Sequence, residues 1–189
     1  MAAVPVLAVA STAAAPRVAG KDARVNPARF LRHIFFTRWT TRRLFTPKVL
    51  AAIETAIRET EVLHAGEIRF AVETALDMAE LVNDVAPRRR AMQIFGQLGV
   101  WDTAQNNGVL IYLLLADHII EIVADRGIAV RIPQSEWEEV CREMERHYRE
   151  GRFGEGSVAG IRGVGRLLAR HFPRRRQGAD ELPNQSVLL

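Results

Sequence analysis

The residues best suited to chemistry fall in three short polar stretches, each at the end of an apolar run. Asp102, Thr103, Asn106 and Asn107 fill the loop before Gly108 and the run Val109 to Leu115. Glu67 opens an alternating stretch that ends at Thr74, and Asp125 and Arg126 follow the run His118 to Ala124. If the Val109 run lies parallel to the Glu67 stretch and antiparallel to the His118 run, three ends coincide. Glu67, Asn107 and Asp125 then share one edge of a sheet, with Asp102, Asn106 and Arg126 in the loops beside them. Hard oxygen ligands of this kind suit calcium or magnesium. The expected metal set is therefore Glu67, Asp102, Asn106, Asn107 and Asp125, and the expected anion contact is Arg126, which suits a phosphate. A plainer reading stands beside it. Asp and Asn fill loops because they hydrogen-bond their own backbone and tolerate turn geometry, and Gly108 would then serve only the turn.

Other chemistries find less support. Cys141 is the sole cysteine and falls on the apolar face of a helical pattern, the position of a structural thiol rather than a nucleophile. The histidines His33, His64, His118, His147 and His171 show no metal-ligand spacing, and Ser157 has no nucleophile elbow around it. Gly154, Gly156, Gly160, Gly163 and Gly165 suggest a phosphate loop, but no strand precedes them and no Gly-Lys-Ser/Thr follows. Close packing of a helix on the sheet is the better reading.

The elements that must position these residues can be traced by period. Thr46-Pro47 caps and opens a helix with Leu50, Ile53 and Ile57 on its buried face. In the strand from Glu67, Ile68, Phe70 and Val72 alternate with Arg69, Ala71 and Glu73. Pro87 starts a helix with the run Arg88 to Arg90 at its solvent end. Val109 to Leu115 is apolar on both sides, as a central strand is, and Ala116-Asp117 turns it into a hairpin with the next strand. Ser135 and Glu138 fit a capping box, and a last helix is expected from Glu155 to Phe172, stopped by Pro173. Strands alternating with helices give an α/β fold, a three-layer α/β/α sandwich on a small mixed sheet.

Several pieces in this order resemble the TPM domain: His64-Ala65-Gly66-Glu67-Ile68, Asn106-Asn107-Gly108-Val109-Leu110, the Asp117 to Gly127 turn and strand, and Tyr148-x-x-Gly151-x-Phe153-x-x-Gly156. The resemblance covers residues 47–172 and implies the same sandwich. It also implies a choice of roles. Members have been linked to acid-phosphatase-like activity, photosystem II repair, receptor modulation at animal membranes and calcium binding, while many bacterial members have no assigned role. Two departures remove negative charge where a cation would sit. Asn106 stands where many members carry Asp, and Arg131-Ile132-Pro133 follows the hairpin where others offer acids.

The flanks differ in character. Residues 1–26 lack any period and are expected to be disordered, as is the basic tail 173–189, and both are expected to be dispensable for folding. Residues 27–46 interleave Phe30, Phe35 and Trp39 with Arg42 and Arg43. Such a segment folds back over the domain or lies on an anionic membrane surface, and the absence of one clean apolar stripe favours the first. Net charge is +4 with a pI near 10.0, yet no groove-reading helix or stacking sheet is visible, which disfavours nucleic acid. One cysteine allows no internal disulfide, no apolar run reaches membrane-spanning length, and the start lacks the basic region of a secretory signal. The expectation is a cytoplasmic, non-enzymatic accessory module with weak divalent-cation binding. A phosphatase-like hydrolase and a membrane-surface accessory protein are the alternatives.

Overall fold

The computed structural model describes residues 7–11, 27–174 and 181–189. Five strands form one mixed sheet in the order β1-β4-β3-β2-β5: β1 Leu7–Ser11, β2 Glu67–Glu73, β3 Gly108–Leu114, β4 Ile119–Ala124 and β5 Val187–Leu188. β2 runs parallel to β3 and to β5, while β3–β4 and β4–β1 are antiparallel. The two-sided apolarity of the Val109 run has the expected outcome. β3 is central, and every one of its residues is buried.

Alternation along the strands divides the core in two. Ile68, Phe70, Val72, Val109, Ile111, Leu113, Ile120 and Ile122 point to one face. There α3 (Pro47–Glu61), α7 (Gln134–Arg149) and α8 (Phe153–His171) cover them. Ala71, Leu110, Tyr112, Leu114 and Val123 point to the other face, beneath α4 (Met78–Val82) and α5 (Pro87–Gln97). The result is the expected α/β/α sandwich. Thr46 caps α3 as anticipated, its hydroxyl accepting from the Val49 amide at 3.4 Å. The α8 glycines do allow close packing, but of helix on helix. A side chain at Gly156 or Gly160 would strike Tyr148 or Met144 of α7, and one at Gly165 would strike Thr60 of α3.

Four expectations need correction. Leu7–Ser11 is not without structure: it pairs with β4 along the open edge of the sheet, while the rest of residues 1–26 lies outside the described residues. Residues 181–189 are not a free tail either. Val187 and Leu188 pair with β2, Leu182 is buried, and the Pro183 carbonyl accepts from Arg69. β2 would otherwise be an edge strand with unmet backbone groups, which explains the docking. The Ser135–Glu138 capping box does not form, because Gln134 already begins α7 and Pro133 takes the cap position. The box is instead Asp77–Glu80 at α4, where both reciprocal bonds are present. Finally, Arg88 and Arg90 do not lie at a solvent end. Arg88 reaches Glu121 at 3.0 Å and Arg90 reaches Glu73 at 2.6 Å, and both carboxylates are buried on the sheet.

The segment before the domain folds back, as favoured. α1 (Pro27–Phe35) and α2 (Arg38–Leu44) straddle the end of the sheet where β2 stops and the β3–β4 hairpin turns. Arg29 Nε lies 3.0 Å and His33 Nε2 3.0 Å from the Asp117 carboxylate. His33 Nδ1 accepts from the Leu76 amide at 2.9 Å, and the Thr41 and Thr74 hydroxyls meet at 2.7 Å.

Candidate cation site at the sheet end

The register brings the expected strand ends together. Glu67 is level with Gly108 and Val109 with Ala124. The Glu67 amide donates to the Asn107 carbonyl at 3.0 Å, and the Asp125 amide donates to the Gly108 carbonyl at 2.8 Å. Glu67, Asn107 and Asp125 thus sit side by side at one end of three adjacent strands, and all three are buried.

Local chemistry fixes the loop that precedes β3. Thr103 Oγ1 accepts from the Asn107 amide at 3.0 Å, and Asn107 Nδ2 donates to the Ala65 carbonyl. Asn106 adopts a left-handed backbone, φ 53°, which Asn tolerates better than most residues. Gly108 and Gly127 are required by contact. A β-carbon at Gly108 would overlap the Val100 carbonyl, and one at Gly127 would lie 2.5 Å from the Asn106 carbonyl. Asp125 caps the short helix α6 (Arg126–Ala129), its Oδ1 accepting from the Arg126 amide at 2.6 Å.

Asn107 Oδ1 and Asp125 Oδ2, both buried, have no hydrogen-bond donor among the described residues. Orphaned acceptors of this kind cost free energy unless something positive meets them. Glu67, Asn107 and Asp125 are the residues here that could hold a cation.

The other expected members do not join them. Asp102 is exposed, and its amide is tied back to the Gly99 carbonyl at 2.9 Å by the turn that ends α5. Asn106 Oδ1 already accepts from Arg126 Nε at 3.1 Å. Arg126 is thereby held on Asn106, and Arg131, expected to oppose a cation, lies instead over the Phe172 ring at 5.1 Å. Among the described residues no group of three or more His, Cys, Asp or Glu is placed to hold a metal. The site has two carboxylates and one amide oxygen, a weak ligand set.

Cys141, Ser157 and His64 are each held in an unreactive setting. Burial pushes the Cys141 thiol up to about 12, with Glu121 adding to the shift. Ser157 is buried, donates to the Phe153 carbonyl at 2.9 Å and meets the Tyr148 hydroxyl at 2.9 Å. Burial also lowers His64 to about 4; the Gly66 backbone opposes this, and the charge of Arg174 reinforces it.

Sequence reasoning missed the buried ionic groups on the sheet. Glu73 accepts from Arg90 and from the Tyr112 hydroxyl, Arg90 also meets Glu80 at 2.6 Å, and Glu121 meets Arg88. The signal was present: charged residues alternate with apolar ones in strands that pass beneath a helix carrying three successive arginines.

A mixed sheet sandwiched by helices, with a polar end built from an Asn-Asn-Gly loop and an Asp-capped helix, defines a small α/β/α class. Within it, a family model for the TPM domain matches residues 40–167, and the chain belongs to that family. The chain is similar to the BA42 protein from the psychrophilic bacterium Bizionia argentinensis, known from an NMR structure. Identity is 32% and the TM-score 0.68, over 76% of this chain and 94% of that one. No curated protein matches the chain.

Proposed function

We propose that the chain is a TPM-domain accessory module of the cytoplasm that acts by binding, with a low-affinity divalent-cation site formed by Glu67, Asn107 and Asp125. The observation that carries this reading is the pair of donor-less buried oxygens, Asn107 Oδ1 and Asp125 Oδ2, beside the Glu67 strand end. Calcium or magnesium would supply the missing positive charge there and would tie the loop before β3 to the start of α6. A single free and buried Cys141 agrees with a reducing compartment. With two carboxylates and one amide, calcium affinity should fall near that of weak extracellular modules, roughly 10⁻⁴ to 10⁻³ M. Arg126, one residue from Asp125, weakens it further.

Titration of calcium and magnesium followed by amide chemical shifts tests this reading. Localised movement at residues 65–67, 103–108 and 125–127, lost in Glu67→Gln and retained in Asp102→Ala, is the expected result. No localised response up to several millimolar ion (a few times the upper bound of about 10⁻³ M above) overturns it. Turnover of an aryl phosphate that depends on magnesium and is lost in Asp125→Asn would replace the binding role with the hydrolase role.

A further inference from the structure

We infer that the outer face of α1 and α2 docks on an anionic lipid surface. α1 is two-sided. Arg29, Phe30 and His33 are committed inward, to Asp117 and to the apolar cluster beneath α5. On the other side Leu31, Ile34 and Phe35 follow one another at helical spacing and are 53%, 51% and 75% exposed, and Trp39 at the start of α2 is 68% exposed. Large apolar side chains grouped in this way mark an interaction surface.

The charges around them narrow the choice of occupant. Arg38, Arg42 and Arg43 are exposed, and none forms an ion pair with a described residue; Arg43 lies over the Trp39 ring at 5.4 Å. From Pro27 to Ile53 the chain contains no Asp or Glu. A second copy of the same face would set these arginines against one another with no carboxylate between them. A soluble polyanion would meet the arginines and leave Phe35 and Trp39 in water. A lipid surface containing acidic headgroups meets both: apolar groups enter the acyl boundary, the indole sits at headgroup level, and the arginines reach phosphate and carboxylate.

The face is also preformed. The Asp117 contacts to Arg29 and His33, and the Thr41–Thr74 bond, fix both helices against the sheet. Docking therefore need not order them first. α1 precedes residue 40, where the family match begins, while α2 runs into it.

Flotation of the full chain with vesicles tests the inference, in the presence of EDTA so that the cation site plays no part. Binding is expected to vesicles of phosphatidylcholine mixed with phosphatidylserine, to be absent with phosphatidylcholine alone, and to weaken as salt shortens the electrostatic range. Arg42→Gln with Arg43→Gln should weaken it about twenty-five-fold, since each arginine near an anionic surface contributes about fivefold. Phe35→Ser with Trp39→Ser should weaken it by about tenfold or more through lost apolar burial. These side chains are exposed, so thermal unfolding of the variants should match the parent. No flotation with the mixed vesicles overturns the proposal. So does flotation that survives both double variants. Concentration-dependent self-association that Trp39→Ser removes would assign the face to a second copy. Heparin binding that ignores Phe35→Ser and Trp39→Ser, without flotation, would assign it to soluble polyanions.

Discussion

Arg90 clamps Glu73 across the gap between α5 and the sheet, with Nε 2.9 Å from one carboxylate oxygen and Nη2 2.6 Å from the other. The Tyr112 hydroxyl donates to the same carboxylate, and Tyr112 stays neutral because burial and then the Glu73 charge push its ionisation far upward. Arg90 itself is held more firmly protonated, chiefly through its hydrogen bonds to Glu73. Removing the guanidinium leaves a buried carboxylate with one neutral donor. Arg90→Ala should cost about 3–5 kcal/mol, and Arg90→Lys less than this while still losing the two-pronged geometry. Urea unfolding measures both.

The contacts of Asp117 with Arg29 and His33 hold the N-terminal helices. Burial raises the Asp117 carboxyl, but the hydrogen bonds from Arg29 and His33 outweigh it and bring it below its ordinary value. A carboxylate depressed in this way stabilises above its unfolded value, and that contribution is lost as pH falls through the lower folded value. Asp117→Ala should release α1 and α2 while leaving the sheet intact. Loss of about 1.5–3 kcal/mol of charge-assisted bonding predicts amide exchange roughly ten to a hundred times faster at residues 30–44. Strands β2 to β4 should be unaffected.

His64 gives the domain a pH dependence of the opposite origin. Its folded value is about 4 against 6.5 when free, so the unfolded chain takes up a proton that the folded chain refuses. Stability should be unaffected by His64 above neutrality, fall between about pH 6.5 and pH 4, and become independent of it below that window. The full effect is up to about 3 kcal/mol. Comparing unfolding of the parent and His64→Gln across this range isolates it, and the variant should show the flatter profile.

Residues 181–189 close one edge of the sheet. The Leu189 amide donates to the Val72 carbonyl at 2.8 Å, and Glu181 accepts from the Ala104 amide at 2.8 Å. Truncation before Glu181 should lower stability by about 3 kcal/mol, from lost burial of Leu182 and a few net hydrogen bonds. It should also expose β2 as an unprotected edge, seen as concentration-dependent aggregation in light scattering.

What the sequence discloses here depends on whether a signal is local. The apolar run of β3 and the level ends of Glu67, Asn107 and Asp125 follow from period and strand direction, so the meeting of these three residues at one sheet end was legible. Asp102 was grouped with them because it is near in sequence, but the turn after α5 carries it to the surface. The Ser135–Glu138 box had the right spacing and lost to a proline two residues earlier. The charged alternation in β2 and the arginine run of α5 were visible, but the pairings Glu73–Arg90 and Asp117–His33 were not, for another reason. Each joins residues on separate elements, and only the stacking of layers brings them together.

The Asn107–Gly108 peptide also bears on how the protein ages. In a flexible chain, asparagine before glycine cyclises readily, because the glycine nitrogen reaches the side-chain carbonyl unhindered, and ring opening leaves aspartate or isoaspartate. In the folded domain, Asn107 Nδ2 is held on the Ala65 carbonyl, and Gly108 is locked into the ladder against β2. That geometry keeps the two reacting atoms from the approach the cyclisation needs. Damage at this bond is therefore metered by how often the sheet end opens, and each event places a new negative charge between Glu67 and Asp125. An old population of molecules would differ from a fresh one in the charge carried by this end of the sheet.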